Sequence, residues 1–280
     1  MNEESYYKIM TKSLTDKEKV VSFIKKGDNV LDFGAGTGDI SNSVLNLGAN
    51  YFALDNSEQA FNYLKDKKLN VFKTIDEIVD ANIKFDVIYF SSVLHEVFSY
   101  SPETRFLDKM IDTLQLLFVD VFSLLKEDGL FIIRDFPKVS TPDNIKLQIK
   151  EKHSDDFKKL FLPGFLKNKM ISEFKENSLF DEENGLITIQ GTSRYIFELL
   201  YHFNWGEQSF HRENKEFYGL FNKDDFELFE KSFNCKLLSY DEYFSEDYRH
   251  YLEDKFILSE NKKEIEWFNN KYFAVLKKES

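Results

Sequence analysis

Apolar positions along the first half of the chain alternate between two spacings, one helical and one extended. Residues 16–26 (DKEKVVSFIKK) repeat apolar side chains at helical spacing and are closed by Gly27, and Val30-Leu31-Asp32-Phe33 then reads as a short buried strand. A helix over about 39–47 ends at Gly48, a second strand occupies 51–54, and Asn56 or Ser57 is placed to cap a helix over 57–67. A third strand at 71–73 and a short helix at 75–81 follow. The unbroken apolar run FDVIYF at 85–90 suits a central parallel strand covered on both faces. Ser101 and Pro102 open a long helix to about residue 125, and Gly129 precedes a fifth strand at 130–134. Regular alternation of strand and helix predicts an α/β, Rossmann-like doubly wound sheet. Its crossovers are right-handed, and its ligand sites lie outside the carboxyl ends of the strands.

The rhythm breaks at Pro137. Beyond it the pattern is mostly helical and aromatic: helices are predicted from Thr141-Pro142, over 165–175, over 193–203 and, capped by Asn222, over 223–233, with a lone strand at 186–190. Alternation returns at 235–243 and again at 271–276, bringing the core strands to seven. The predicted division is a core of residues 1–137 and 235–280, in which 1–26 form an amino-terminal helix and lid, and a mainly helical insertion at 138–234. Inserted segments over the carboxyl edge of a sheet usually shape the substrate site, so the insertion is expected to cap the substrate.

Composition narrows the function classes. The chain has 280 residues, 42% of them hydrophobic, and lacks an apolar run near the ~18 residues that a membrane span needs. Its acidic start and single cysteine, Cys235, argue against a secretory signal, a disulfide framework and a cysteine zinc cluster, and a cytoplasmic setting is expected. Net charge is −12, and none of the stretches 1–136, 137–235 and 236–280 is net positive, which disfavours nucleic acid as a partner. Glycine is scarce, 11 in all, yet three fall at 34, 36 and 38. A glycine-poor chain that concentrates glycine there needs the bare backbone at that spot.

Residues 31–38, LDFGAGTG, put an acid at the end of the first strand and glycines at alternate positions before a helix. Such a loop turns tightly and lets a ligand lie against backbone N–H groups. A dinucleotide fingerprint would carry its third glycine at position 39, where this chain has Asp39, so a nicotinamide oxidoreductase is the weakest reading. With Asp55 ending the second strand, Val93-Leu94-His95-Glu96 following the fourth, and Leu125-Lys126-Glu127-Asp128-Gly129-Leu130 leading into the fifth, the chain resembles the class I S-adenosylmethionine-dependent methyltransferases. The resemblance implies a seven-stranded sheet, mostly parallel with an antiparallel last strand, with S-adenosylmethionine as the cofactor and S-adenosylhomocysteine its product. It implies cofactor contacts from Asp32, Gly34, Ala35, Gly36, Gly38, Asp55, Asn56, Ile75 and Ser91, with Asp55 on the ribose hydroxyls and Lys12 closing over the cofactor carboxylate. The Asn/Asp-Pro-Pro-aromatic motif of base-amino methyltransferases is missing after the fourth strand.

Methyl transfer needs an in-line nucleophile, exclusion of water and a route for the nucleophile's proton. His95, with an unperturbed pKa near ~6.5, is the candidate base. Glu96 could orient it or bind a cationic group, and Asp135 at the end of the fifth strand is a third catalytic candidate. No metal is expected, because Ser91-Ser92 supply no carboxylate after the fourth strand. Within the insertion, Arg194 and Arg212 offer guanidinium forks for an anionic substrate group, and Tyr201 and Trp205 offer aromatic walls. Intrahelical ion pairing and core packing account for the same residues equally simply. The reading is a methyltransferase acting on an oxygen or nitrogen of a small or medium-sized molecule, as a monomer or homodimer and without a membrane partner. The alternatives are a cofactor-binding module without turnover and a methyltransferase acting on tRNA or protein.

Overall fold

The structure, a computed structural model, describes residues 14–101, 110–139, 144–168, 179–183 and 186–280. Five parallel strands form the first sheet: β1 (Asn29–Phe33), β2 (Asn50–Leu54), β3 (Asn70–Phe72), β4 (Phe85–Ser91) and β5 (Leu125–Asp135). They are completed by β9 (Cys235–Tyr243) and β12 (Lys271–Lys278), in the order β3-β2-β1-β4-β5-β12-β9. β12 runs antiparallel to both of its neighbours. In β4 the side chains from Val87 to Phe90 are all buried, which is why that run shows no alternation. The order reverses between β1 and β4, and this switch point is where such sheets leave a crevice for a ligand.

Local chemistry sets the helices. α1 (Leu14–Lys17) continues as a 3-10 turn over Glu18–Phe23, and α2 (Ser41–Asn46) follows the glycine loop. α3 (Glu58–Asp66) and α4 (Ile75–Asp80) are capped by the Ser57 and Thr74 side chains, which accept from Ala60 and Glu77 N–H. α5 (Leu94–Tyr100), a helix the sequence pattern did not predict, begins immediately after β4, and α6 (Met110–Leu124) runs directly into β5. Thus β5 starts five residues earlier than the pattern indicates. A register shift between Phe85 and Val87 absorbs the extra length.

The segment after Pro137 departs from the predicted mainly helical insertion. Residues expected to continue a helix from Thr141-Pro142 form β6 (Ile145–Ile149), and the reason is period: Ile145, Leu147 and Ile149 are buried while Lys146 and Gln148 between them are not. The strand expected to stand alone is β8 (Leu186–Gly191), paired with β6 and with β7 (Leu179–Glu183). β10 (Phe256–Glu260) and β11 (Lys263–Glu264), from the carboxyl-terminal stretch, complete a five-stranded antiparallel sheet ordered β11-β10-β6-β8-β7. Around it lie α7 (Glu151–Asp156), a π turn over Phe157–Phe161, α8 (Leu162–Phe165) and α9 (Ser193–Asn204). α10 (Phe210–Glu213), α11 (Lys223–Phe233) and α12 (Arg249–Lys255) complete the set. The predicted helix over 165–175 lies largely outside the described residues.

One hydrophobic core runs from a face of the first sheet to the second sheet. Aromatic rings carry much of it: Phe131 of β5 packs on Phe90, Phe118 and Phe122 at centroid separations of 5.1, 5.9 and 5.8 Å. A second cluster covers the opposite face under α2 and α3. Phe131 is fully buried between α6 and β4, so Phe131→Ala removes both transfer energy and packing. We expect a loss of about 4 kcal/mol, read as a lower urea midpoint with unchanged slope in equilibrium unfolding.

Candidate active site

The glycine loop occupies the crevice at the β1 carboxyl end. Gly34 sits at φ +69°, its N–H donates to Leu54 O at 2.8 Å, and a Cβ there would lie 2.4 Å from Val93 Cγ2. Gly36, at φ +54°, faces open space where a Cβ would project into the cavity. Its N–H donates to Asp55 Oδ2 at 2.8 Å. The cavity has a volume of about 880 Å³, and its walls include Asp32, Gly34, Ala35, Gly36, Asp55, Asn56, Ile75 and Ser91. Gly38 does not line it; this glycine stands behind the loop, against Leu64. Lys12 lies outside the described residues. Asp32 is buried and accepts from Tyr51 OH at 2.7 Å; burial pushes its carboxyl up to about 7 against the Tyr51 hydrogen bond and the nearby Lys17. Lys17 pairs with Asp39 at 2.5 Å on the cavity rim.

A second cavity of about 300 Å³ shares Lys17, Ser92, Glu96 and Arg212 with the first. Its polar wall is built where β4 and β5 end. Ser92, at φ +55°, donates its N–H to Arg134 O, and its hydroxyl accepts from Arg134 Nη1 at 3.1 Å and Lys271 Nζ at 3.0 Å. Three residues on, in α5, His95 Nδ1 meets Asp135 Oδ1 at 2.7 Å, and the His95 backbone N–H donates to Asp135 Oδ2 at 3.2 Å. On the other side of the ring, Nε2 stands 3.6 Å from Glu216 Oε2, while Glu216 Oε1 accepts from Tyr100 OH. Burial opposes a charge on His95, but Asp135 and then Glu216 outweigh it and raise its pKa to about 10. Asp135 is held below its ordinary value: burial works against its charge, and the His95 imidazolium prevails. His95 is therefore an imidazolium at neutral pH and has no vacant site with which to accept a proton.

Glu96 differs. Burial is the main cause raising its carboxyl to about 7; Glu216 and Glu213 add to the rise, and His95 and Arg212 oppose it. Among the described residues none donates a hydrogen bond to the Glu96 side chain, and it faces both cavities. One ligand atom from each of His95, Glu96 and Glu216 lies within 4.8 Å of the other two, a spacing that would admit a cation. The protonated His95 already supplies a positive charge there.

Of the four expected substrate contacts, the structure brings two to the site. Trp205 lines the second cavity and Arg212 lines both. Arg212 is engaged by Glu213 Oε1 at 2.6 Å, which leaves it poorly placed to hold an anion. Arg194 lines neither cavity; its Nη2 donates to Gly219 O at 3.0 Å and its guanidinium lies over Phe217. Tyr201 is core, packed on Phe136 and Phe197 with its hydroxyl donating to Phe268 O. Asp135 lines neither cavity and acts from behind His95. Sequence reasoning missed Ser92, Glu216, Tyr218 and Lys271. The one signal for Lys271 was a lysine opening an otherwise apolar last strand.

The sheet order and a backbone cradle beside the acid that ends β2 define a Rossmann-like, nucleotide-cofactor-binding domain. Residues 31–131 match the family described as "Methyltransferase domain". Among solved structures, the chain is similar to an S-adenosylmethionine-dependent methyltransferase from Clostridium acetobutylicum, at 15% identity over 98% of this chain and 92% of that one, TM-score 0.46. It is similar to one from Archaeoglobus fulgidus at 13% identity, 95% and 92% coverage and TM-score 0.47. A third is the CcbJ methyltransferase from Streptomyces caelestis, at 11% identity, 96% and 90% coverage and TM-score 0.47. No curated protein matches the chain.

The first cavity has the features that S-adenosylmethionine would need: a Cβ at position 36 would fill space the ligand occupies, and Asp55 lies beside that backbone. Asp55→Ala removes a carboxylate able to accept from ribose hydroxyls. Titration calorimetry should show S-adenosylmethionine binding weakened by about 2 kcal/mol, or ~30-fold; unchanged affinity would reject the assignment.

Proposed function

We propose that this chain transfers the methyl group of S-adenosylmethionine to a nitrogen or oxygen of a small molecule held in the second cavity. The observation that carries the proposal is the common wall: Lys17, Ser92, Glu96 and Arg212 face both chambers, so a donor in one and an acceptor in the other would meet there. A module that only bound cofactor would have no use for the second chamber. Its volume of about 300 Å³ suits a small molecule better than a nucleic acid or protein segment.

When bound, the cofactor supplies a methyl group already activated as a sulfonium. The chain has three tasks left. The glycine loop and Asp55 hold the cofactor, Phe136, Trp205 and Tyr218 line the acceptor chamber and exclude water, and Glu96 takes the acceptor's proton. His95 and Asp135 serve as positioning residues. Their ion pair fixes the start of α5 and thereby the direction of Glu96, the next residue along the chain.

A carboxyl with a pKa of about 7 must be ionised to accept a proton, so kcat/KM should rise with pH and level off above about 7. The groups facing Glu96 and setting that limb are His95, Arg212, Glu213 and Glu216. Glu96→Gln should lower kcat/KM by ~100-fold or more at neutral pH and erase the limb. Asp135→Asn should shift the limb and lower kcat while leaving KM for S-adenosylmethionine nearly unchanged. A flat wild-type profile from pH 5.5 to 9, or full activity in Glu96→Gln, would remove Glu96 from the reaction.

A further inference from the structure

We propose that the methyl acceptor is a small amine, cationic in solution, carried on an apolar body of roughly one aromatic ring. This deepens the proposed function and rests on methyl transfer taking place in the second cavity. Four carboxylates line that chamber: Glu96, Glu213, Glu216 and Asp247. The cations on its wall are already engaged by the protein, beginning with Lys17 on Asp39 and the His95 imidazolium on Asp135. Arg212 holds Glu213, Arg134 donates to Ser92 and approaches Asp16, and Lys255 Nζ donates to Asn204 O at 2.8 Å. Lys271 Nζ donates to Ser92 and sits 3.4 Å above the Phe136 ring. An anionic acceptor would find carboxylates and committed cations.

Glu213 and Glu216 are committed too, to Arg212 and Tyr218 and to Tyr100 and His95, but an ammonium still finds two open acceptors. Among the described residues Glu96 has no hydrogen-bond donor, and the Asn204 side-chain oxygen, also on the chamber wall, is buried without a partner. Trp205 Nε1 is likewise buried without one and offers a donor to any acceptor atom on the same ligand. The remaining wall is aromatic, with Trp205, Tyr218, Tyr248 and Tyr251, whose faces attract organic cations. The volume of about 300 Å³ bounds the body to about one ring and a short chain.

The bond changes balance. The bound ammonium gives one proton to the Glu96 carboxylate. The freed nitrogen lone pair forms the N–C bond to the methyl carbon as the C–S bond breaks and its electron pair stays on sulfur. Positive charge thus passes from the sulfonium to the methylated nitrogen, and the Glu96 proton leaves to solvent.

The test uses the full chain with three probes of equal size: 2-phenylethylamine, 2-phenylethanol and phenylacetate. Binding is read by calorimetry with S-adenosylhomocysteine present, and turnover by S-adenosylhomocysteine formed from S-adenosylmethionine. The amine should bind at least tenfold more tightly than the alcohol and be the preferred acceptor, with no heat from phenylacetate. Glu96→Gln should weaken amine binding by tenfold or more with a melting temperature near that of the wild type. Should that variant unfold, the comparison of the three probes on the wild-type chain still decides. Cofactor binding with the alcohol or the acid preferred, or with no amine bound, overturns the amine while leaving methyl transfer intact. Failure to bind S-adenosylmethionine at all overturns the proposed function instead.

Discussion

The buried ion pair between His95 and Asp135 holds the two chambers in register. Asp135 is the last residue of β5 and His95 lies in the first turn of α5, just past the end of β4, so the pair clamps the open ends of two central strands. Both side chains are almost completely buried, and neither charge would be tolerable there without the other. The clamp fixes the imidazole plane, which aims Nε2 at Glu216 from the far side of the chamber, while Glu216 is also tied to Tyr100 near the end of the same helix. Charge, helix and chamber wall are thus one connected unit, and a disturbance at Asp135 reaches Glu96 without touching it.

That unit also explains why the stretch after Pro137 is packed into the core instead of hanging over it. Glu213 ends α10, Glu216 and Tyr218 come from the segment after it, and Tyr248, Lys255 and Lys271 come from the carboxyl-terminal stretch. The antiparallel sheet joins these two regions, because β10 pairs with β6 along five residues from Phe256↔Ile149 to Glu260↔Ile145. Continuity of the hydrophobic core from Phe131 through Phe136 to Phe197 and Tyr201 then fixes the second sheet against the first. The second cavity is the polar remnant of that aromatic packing.

The sequence was readable wherever structure is decided locally. β1 to β4, their capping residues and the glycine loop all follow from short-range rules, and Asp55 could be placed because an acid ending a second strand has a fixed relation to that loop. The second sheet was not readable in the same way. Ile145, Leu147 and Ile149 alternate over only five residues, and their partners lie on β8, across the intervening helices, and on β10, near the far end of the chain. α5 was hidden because Leu94–Tyr100 makes only about two turns, too few for a helical period to stand out. At the site, His95, Glu96 and Asp135 could be named from their positions after β4 and β5. Arg194 and Arg212 misled because a guanidinium in an aromatic stretch looks the same whether it awaits an anion or, as here, meets a carbonyl and a carboxylate of its own chain.

The assignment of roles turned on charge, which no local pattern contains. A histidine after the fourth strand suggests a base only while its imidazole is neutral. With one carboxylate on Nδ1 and another facing Nε2, the proton is retained to about pH 10, and the ring becomes a fixed cation. The same burial acts in the opposite sense on Glu96, raising to about 7 a carboxyl that accepts no hydrogen bond from the described residues. Two adjacent residues in one low-dielectric wall are thus pushed upward by different causes, ion pairing in one and desolvation in the other. Only the second emerges with a pKa near neutrality and an open face toward both chambers, and for that reason the proposed proton transfer belongs to Glu96 and not to the histidine beside it.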